Sequence, residues 1–95
     1  PLVPESPPPK ELFEVPGNKI IGLTIDTAKL RRIREERLRV MGLDPEVSMY
    51  ARQERIEEEL LYARQIIETL NAKIFDVTNK AVEETAQEIM DYLNI

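Results

Sequence analysis

Residues 19–26 read K-I-I-G-L-T-I-D, a nearly continuous apolar run from Ile20 to Ile25 that ends on an acid. Apolar and polar positions do not alternate in it. A strand of that kind has both faces covered, as in the parallel sheets of α/β proteins. Asp26 or Thr27 then caps a helix running to about Met41, and Gly42 stops it. Leu30, Ile33, Leu38 and Met41 share one side of this helix. After the loop at 43–47, which contains Pro45, Ser48 caps a helix predicted over roughly 49–70. Its apolar stripe is Ile56, Leu60, Ala63, Ile67 and Leu70. The alternating steps of four and three are those of an amphipathic helix. Asn71 closes it. Lys73 to Val77 is a second buried strand, and a last helix over 82–93 sets Val82, Ala86, Ile89 and Leu93 on one face. The order strand, helix, helix, strand, helix needs a crossover between the strands, hence a parallel sheet with a right-handed connection. The expected fold class is α/β: a small parallel sheet of two or three strands with three main helices. So few strands make an incomplete sheet, which is expected to continue in chain outside this sequence.

Toward the N-terminus the character changes. Pro1, Pro4, Pro7, Pro8 and Pro9 crowd the first nine residues. Such a stretch is extended and cannot be helical. Leu2 and Val3 are expected to end an edge strand, Lys10 to Val15 to make one helical turn touching the core through Leu12 and Phe13, and Pro16-Gly17-Asn18 to turn. The domain division is therefore a Pro-rich extended arm and turn at 1–18 and an α/β part at 19–95.

The 95 residues suffice for one small domain. Cysteine and histidine are both absent, which removes disulfide scaffolds, Cys or Cys/His zinc sites, Cys nucleophiles and histidine acid–base catalysis. The net charge of −5 argues against a general affinity for nucleic acid or an anionic membrane. No apolar run approaches the ~20 residues of a spanning helix, and no signal-peptide pattern is present. A chain without cysteine suits a reducing cytosol, so a cytoplasmic location is expected. The first residue, Pro1, is not Met, which reads as a processed chain or a piece of a longer one.

Four features bear on chemistry. Gly17 to Thr24, G-N-K-I-I-G-L-T, is a near miss to the phosphate-loop pattern. Leu23 stands where the phosphate-binding lysine must be, and the segment is a strand without free N–H groups to offer. Residues 29–39 carry Lys29, Arg31, Arg32, Arg34, Arg37 and Arg39 against Glu35 and Glu36. Such a row holds phosphate oxygens through bidentate hydrogen bonds, or it is a solvated face paired with acids of the next helix. D-V-T-N-K at 76–80 ends the second strand, and Asp26-Thr27 ends the first. Ligands of open parallel sheets bind outside that end, although Thr78, Asn79 and Lys80 are also ordinary turn and cap formers. Finally, Glu54, Glu57, Glu58 and Glu59 are expected to face solvent opposite the apolar stripe, and so to form no metal site.

Several motifs occur together in a telling order: P-L-V-P-E at 1–5, P-P-K-E-L-F at 8–13, K-I-I-G-L-T-I-D at 19–26 and L-R-R-I-R-E-E-R-L at 30–38. S-M-Y-A at 48–51, D-V-T-N-K at 76–80 and E-E-T-A at 83–86 follow. Over nearly the whole length this resembles the C-terminal part of the pyruvate, phosphate dikinase regulatory proteins, also called phosphoenolpyruvate synthase regulatory proteins. Each motif alone is weak; order and spacing make the likeness specific.

The resemblance implies a partial phosphate-loop-kinase-like fold, with the phosphate loop upstream of this segment. It implies a bifunctional enzyme that transfers phosphate from ADP to a threonine of the dikinase or synthase, and removes it with inorganic phosphate, releasing pyrophosphate. The segment alone would be inactive. Arg34 and Arg37 would then be a phosphate clamp and Thr78, Asn79 and Lys80 a nucleotide-binding loop, with ADP as the nucleotide and any Mg2+ held by residues outside this chain. Ala81 departs from the family, which usually has a serine there to cap the last helix with Glu84. A rival expectation is a non-catalytic helical interaction or oligomerisation module. Strands apolar on both faces with open edges also predict self-association, most simply a homodimer that exchanges the arm Pro1–Val15.

Overall fold

A computed structural model describes residues 2–95; Pro1, the first residue of the expected arm, lies outside the described residues. The main elements are β1 (Ile21–Thr24), α1 (Thr27–Val40), α2 (Gln53–Thr69), β2 (Lys73–Asp76) and α3 (Val82–Leu93). β1 and β2 pair in parallel, Ile21 opposite Lys73 through Thr24 opposite Asp76. Three helices and a two-stranded parallel sheet make the α/β class expected, and the arrangement is consistent with part of a nucleotide-kinase-like fold.

Local chemistry sets the helix ends. Asp26 caps α1, its Oδ2 accepting from Lys29 N at 3.1 Å. At the other end Gly42 adopts φ +77°, and Leu43 N reaches back to Leu38 O at 2.8 Å. This left-handed turn satisfies the last carbonyls and suits glycine, which has no Cβ to strain. Asn71 repeats the device after α2, with φ 55° and Ala72 N donating to Ile67 O.

The core is small: Leu38, Ala51, Ile56 and Ile67 are the buried hydrophobic residues, and Ile56 is fully enclosed. α2 lies close on β1. A Cβ on Gly22 would come within 2.8 Å of both branches of Ile67, so the missing side chain is what lets helix and strand approach.

Four expectations are corrected. α2 begins at Gln53, because residues Met49–Ala51 form a separate 3-10 turn that Ser48 caps through Tyr50 N. Leu2 and Val3 do not reach the sheet; Val3 makes only an isolated antiparallel bridge to Ser6. The first strand is not covered on both faces, since Leu23 is 53% exposed. Met41 lies past the end of α1 and is exposed rather than on its buried side.

Ala81 stands at the cap position just before α3, and its N–H gives a long 3.5 Å hydrogen bond to Glu84 Oε1. Alanine has no oxygen to return the bond. Ala81→Ser should therefore complete the pair and stabilise the chain by about 1 kcal/mol. Thermal unfolding should register this as a midpoint raised by roughly 4–8 °C.

Candidate functional site

The parallel pairing brings the carboxyl ends of β1 and β2 side by side. Asp76 Oδ1 accepts from Thr78 N at 2.9 Å and from the Thr78 hydroxyl. That hydroxyl in turn accepts from Asp26 N at 2.9 Å. The two strand ends are thus tied through one threonine, for which the sequence left both a ligand and a turn-forming role open. The Thr78 hydroxyl, then its backbone N–H, hold the Asp76 carboxyl below the ordinary carboxylate range. Lys80 Nζ lies 2.7 Å from Glu88 on α3, and Asn79 is exposed.

Beside this turn opens a cavity of about 790 Å3. Its walls are apolar: Leu23, Ile25 and Ile33 on one side, Val77, Val82, Ala86 and Ile89 on the other. Lys29, Thr78, Asn79 and Lys80 supply its polar groups. The first turns of α3 therefore border open space, with Val82 82% exposed, while its last turn meets the sheet through the edge-to-face pair of Tyr92 and Phe75. Lys29 is a cavity residue that charge counting did not separate from the rest of the basic helix.

The basic helix makes a second constellation. Arg34 grips Glu59 of α2 with both ends of its fork, Nη1 to Oε2 and Nη2 to Oε1, each at 3.1 Å. Nη1 also donates to Tyr50 O at 3.0 Å, and the guanidinium lies 4.5 Å from the centre of the Tyr50 ring. Both side chains of the pair are 12% exposed. Arg37 is exposed and donates to the Tyr50 hydroxyl at 3.0 Å. Glu59 is thus not among the solvent-facing acids, contrary to expectation. Its place three residues after Ile56 and next to Leu60, at the border of the apolar stripe, was the available signal.

From Glu59 the charges continue outward. Arg55 Nε lies 3.1 Å from Glu59 Oε2, and its fork takes the Glu5 carboxylate, with 2.7 Å between Nη2 and Oε2. Each partner shifts the other, the hydrogen bond from Arg55 lowering the Glu5 pKa and Glu5 raising that of Arg55. The N-terminal arm is thereby fastened to α2. A second cavity, about 400 Å3, lies between the arm and the sheet, with Leu2, Leu12, Ile21 and Leu60 among its walls and Arg34 and Glu59 also lining it. Leu23 and Ile25 line both cavities. Thr78, Asn79 and Lys80 are brought together in the first cavity, Arg34 sits in the second, and Arg37 lines neither.

The family model described as Kinase/pyrophosphorylase matches residues 1–90. A protein of Halothermothrix orenii named "Putative pyruvate, phosphate dikinase regulatory protein" is 52% identical over 99% of this chain and 35% of its own length. Proteins of the same name from Thermoanaerobacter sp. and Alkaliphilus metalliredigens are 52% and 55% identical, over 98% and 96% of the chain and 34% and 32% of their own lengths. The chain thus spans about a third of the curated relatives it matches, in their C-terminal part. No solved structure matches it. The chain belongs to the kinase/pyrophosphorylase family.

Proposed function

We propose that this segment is the nucleotide-side and phosphate-side wall of a bifunctional enzyme that regulates pyruvate, phosphate dikinase or phosphoenolpyruvate synthase. The enzyme transfers phosphate from ADP to a threonine of its target and removes it with inorganic phosphate, releasing pyrophosphate. The observation that carries this is the open cavity at the carboxyl ends of two parallel strands, apolar in its walls and polar at Lys29, Thr78, Asn79 and Lys80. That is where an open α/β sheet receives a ligand. The apolar walls suit a nucleotide base, and the two lysines suit phosphate oxygens.

Phosphoryl transfer needs little covalent help from a protein; position and charge do most of it. Thr78 fixes the turn through its bonds to Asp76 and Asp26; Asn79 is exposed, and the Lys80 ammonium, which gives one hydrogen bond to Glu88, has two further donors to offer the nucleotide. Arg37, with one partner among the described residues, has donors left for the transferred phosphate. Arg34 belongs to the same clamp but acts behind it, through Tyr50. Any Mg2+ that accompanies the nucleotide is held, on this reading, by residues outside this segment. The segment works only with the remaining two thirds of the family's length, in the cytoplasm.

Titration calorimetry with ADP tests the reading in a protein that carries this segment together with that remaining length. Asn79→Ala and Lys80→Ala should each weaken ADP binding by about tenfold, the value of one hydrogen bond to a charged group. Their melting temperatures should stay close to that of the parent. A matched fall in melting temperature with unchanged ADP affinity would make the turn purely structural. The exposure of Leu23 and Val82 favours one second reading, a non-catalytic module that covers this cavity by forming a homodimer. Sedimentation of the 95-residue chain separates the two: an 11.0 kDa monomer that binds ADP removes the module.

A further inference from the structure

The ionic chain Glu5–Arg55–Glu59–Arg34 ends on a tyrosine, and the tyrosine ends on the one arginine of the set that faces outward. Arg34 cannot turn to solvent without abandoning a bidentate carboxylate, a carbonyl and a ring together. A guanidinium so engaged is a strut. What it supports is the Met49–Ala51 corner, whose Ala51 is buried and whose Tyr50 is held at the carbonyl and across the ring face by Arg34, with Arg37 on its hydroxyl.

We propose that Glu59 is a positioning residue for the phosphate-facing arginine. Its carboxylate locks Arg34 under Tyr50, and the fixed Tyr50 hydroxyl orients the Arg37 fork. This rests on the reading of Arg37 as the phosphate contact, and it extends that reading to a carboxylate that touches neither phosphate nor nucleotide. The geometry is economical in one respect. Glu59 uses its two oxygens for two arginines, Arg34 and Arg55, so the same carboxylate that sets the Tyr50 corner also joins it to the N-terminal arm. Glu59→Gln keeps the size of the side chain but, with one oxygen and no charge, cannot accept the Arg34 fork and the Arg55 Nε–H together as an anion does.

The test uses 15N-labelled arginine in a protein that carries this segment together with the remaining length of its relatives, and inorganic phosphate as probe. Glu59→Gln should shift the Arg37 Nε–H resonance and weaken the phosphate-induced change at Arg37 by about tenfold. Glu54→Gln, on the same helix but exposed, should do neither. Tyr50→Phe removes only the hydroxyl; it should shift Arg37 while leaving the melting temperature near that of the parent, and it decides the matter if Glu59→Gln fails to fold. An Arg37 resonance unmoved by Tyr50→Phe, or by a folded Glu59→Gln, overturns the proposal. So does tighter phosphate binding in Glu59→Gln with the change centred on Arg34, because Glu59 would then be masking an anion site rather than building one. If phosphate moves no arginine of the parent chain, the phosphate-facing reading fails, and the positioning role is still judged by the Tyr50→Phe shift.

Discussion

Arg37→Ala is expected to slow phosphoryl transfer by about a thousandfold in a protein carrying this segment and the remaining length of its relatives, at the low end of what an arginine on a transferred phosphate contributes. The reason lies in how differently the two central arginines are spent. Arg34 is consumed by Glu59 and Tyr50, whereas Arg37 is exposed on the same helix and gives one hydrogen bond, to the Tyr50 hydroxyl. On the proposed reading the remaining donors of its fork serve the transferred phosphate. Arg37→Lys should recover part of the rate, since it keeps the charge but loses the fork. Assays of phosphate incorporation into the dikinase, with thermal unfolding alongside, would check this. Unchanged turnover in a normally folded Arg37→Ala protein would assign the residue to a solvated helix face.

Ile56→Ala should be the most damaging change to the fold, costing about 3 kcal/mol. Ile56 has 0% exposure, and among the described residues the other buried hydrophobic side chains are Leu38, Ala51 and Ile67. A core of that size has no neighbouring layer to collapse into the space left by three carbons. Against a total stability of about 5–15 kcal/mol for a domain, such a loss leaves a chain that unfolds well below the parent's urea midpoint. Val82→Ala, a similar truncation at a residue 82% exposed, should stay within about 0.5 kcal/mol. Equal shifts for the two would mean that the interior lies elsewhere.

Much of the fold was legible because the chain marks its own joints. Asp26, Gly42 and Asn71 each act where their chemistry points, and the four-three rhythm of Ile56, Leu60, Ala63 and Ile67 gave α2 its inward face. The start of α2 was misplaced because Ser48 is a sound cap for either helix type. The choice of a 3-10 turn is made by Arg34, sixteen residues away, which takes the Tyr50 carbonyl. The covering of β1 was overestimated for a related reason. Apolar character at Leu23 shows that a residue wants cover; it does not show that the cover lies within this segment. For the site, the turn 76–80 was visible from its position at a strand end. The cavity beside it was not, since its walls come from α1, β1 and α3 at once, and no local pattern reports such a meeting.

The parallel pairing also has a consequence in time. Ile21 and Lys73 are register partners 52 positions apart, and closing a loop of that length costs about 3.5 kcal/mol of chain entropy before any strand contact repays it. The α1–α2 hairpin closes over a far shorter span, so the sheet is the late event and the hairpin its template. On a ribosome the delay becomes absolute. β1 emerges and stands unpaired for roughly 3–10 s while the partner strand is still being made. Ile67 is made only six positions ahead of Lys73, so the residue that packs on the bare backbone at Gly22 arrives almost together with the partner strand.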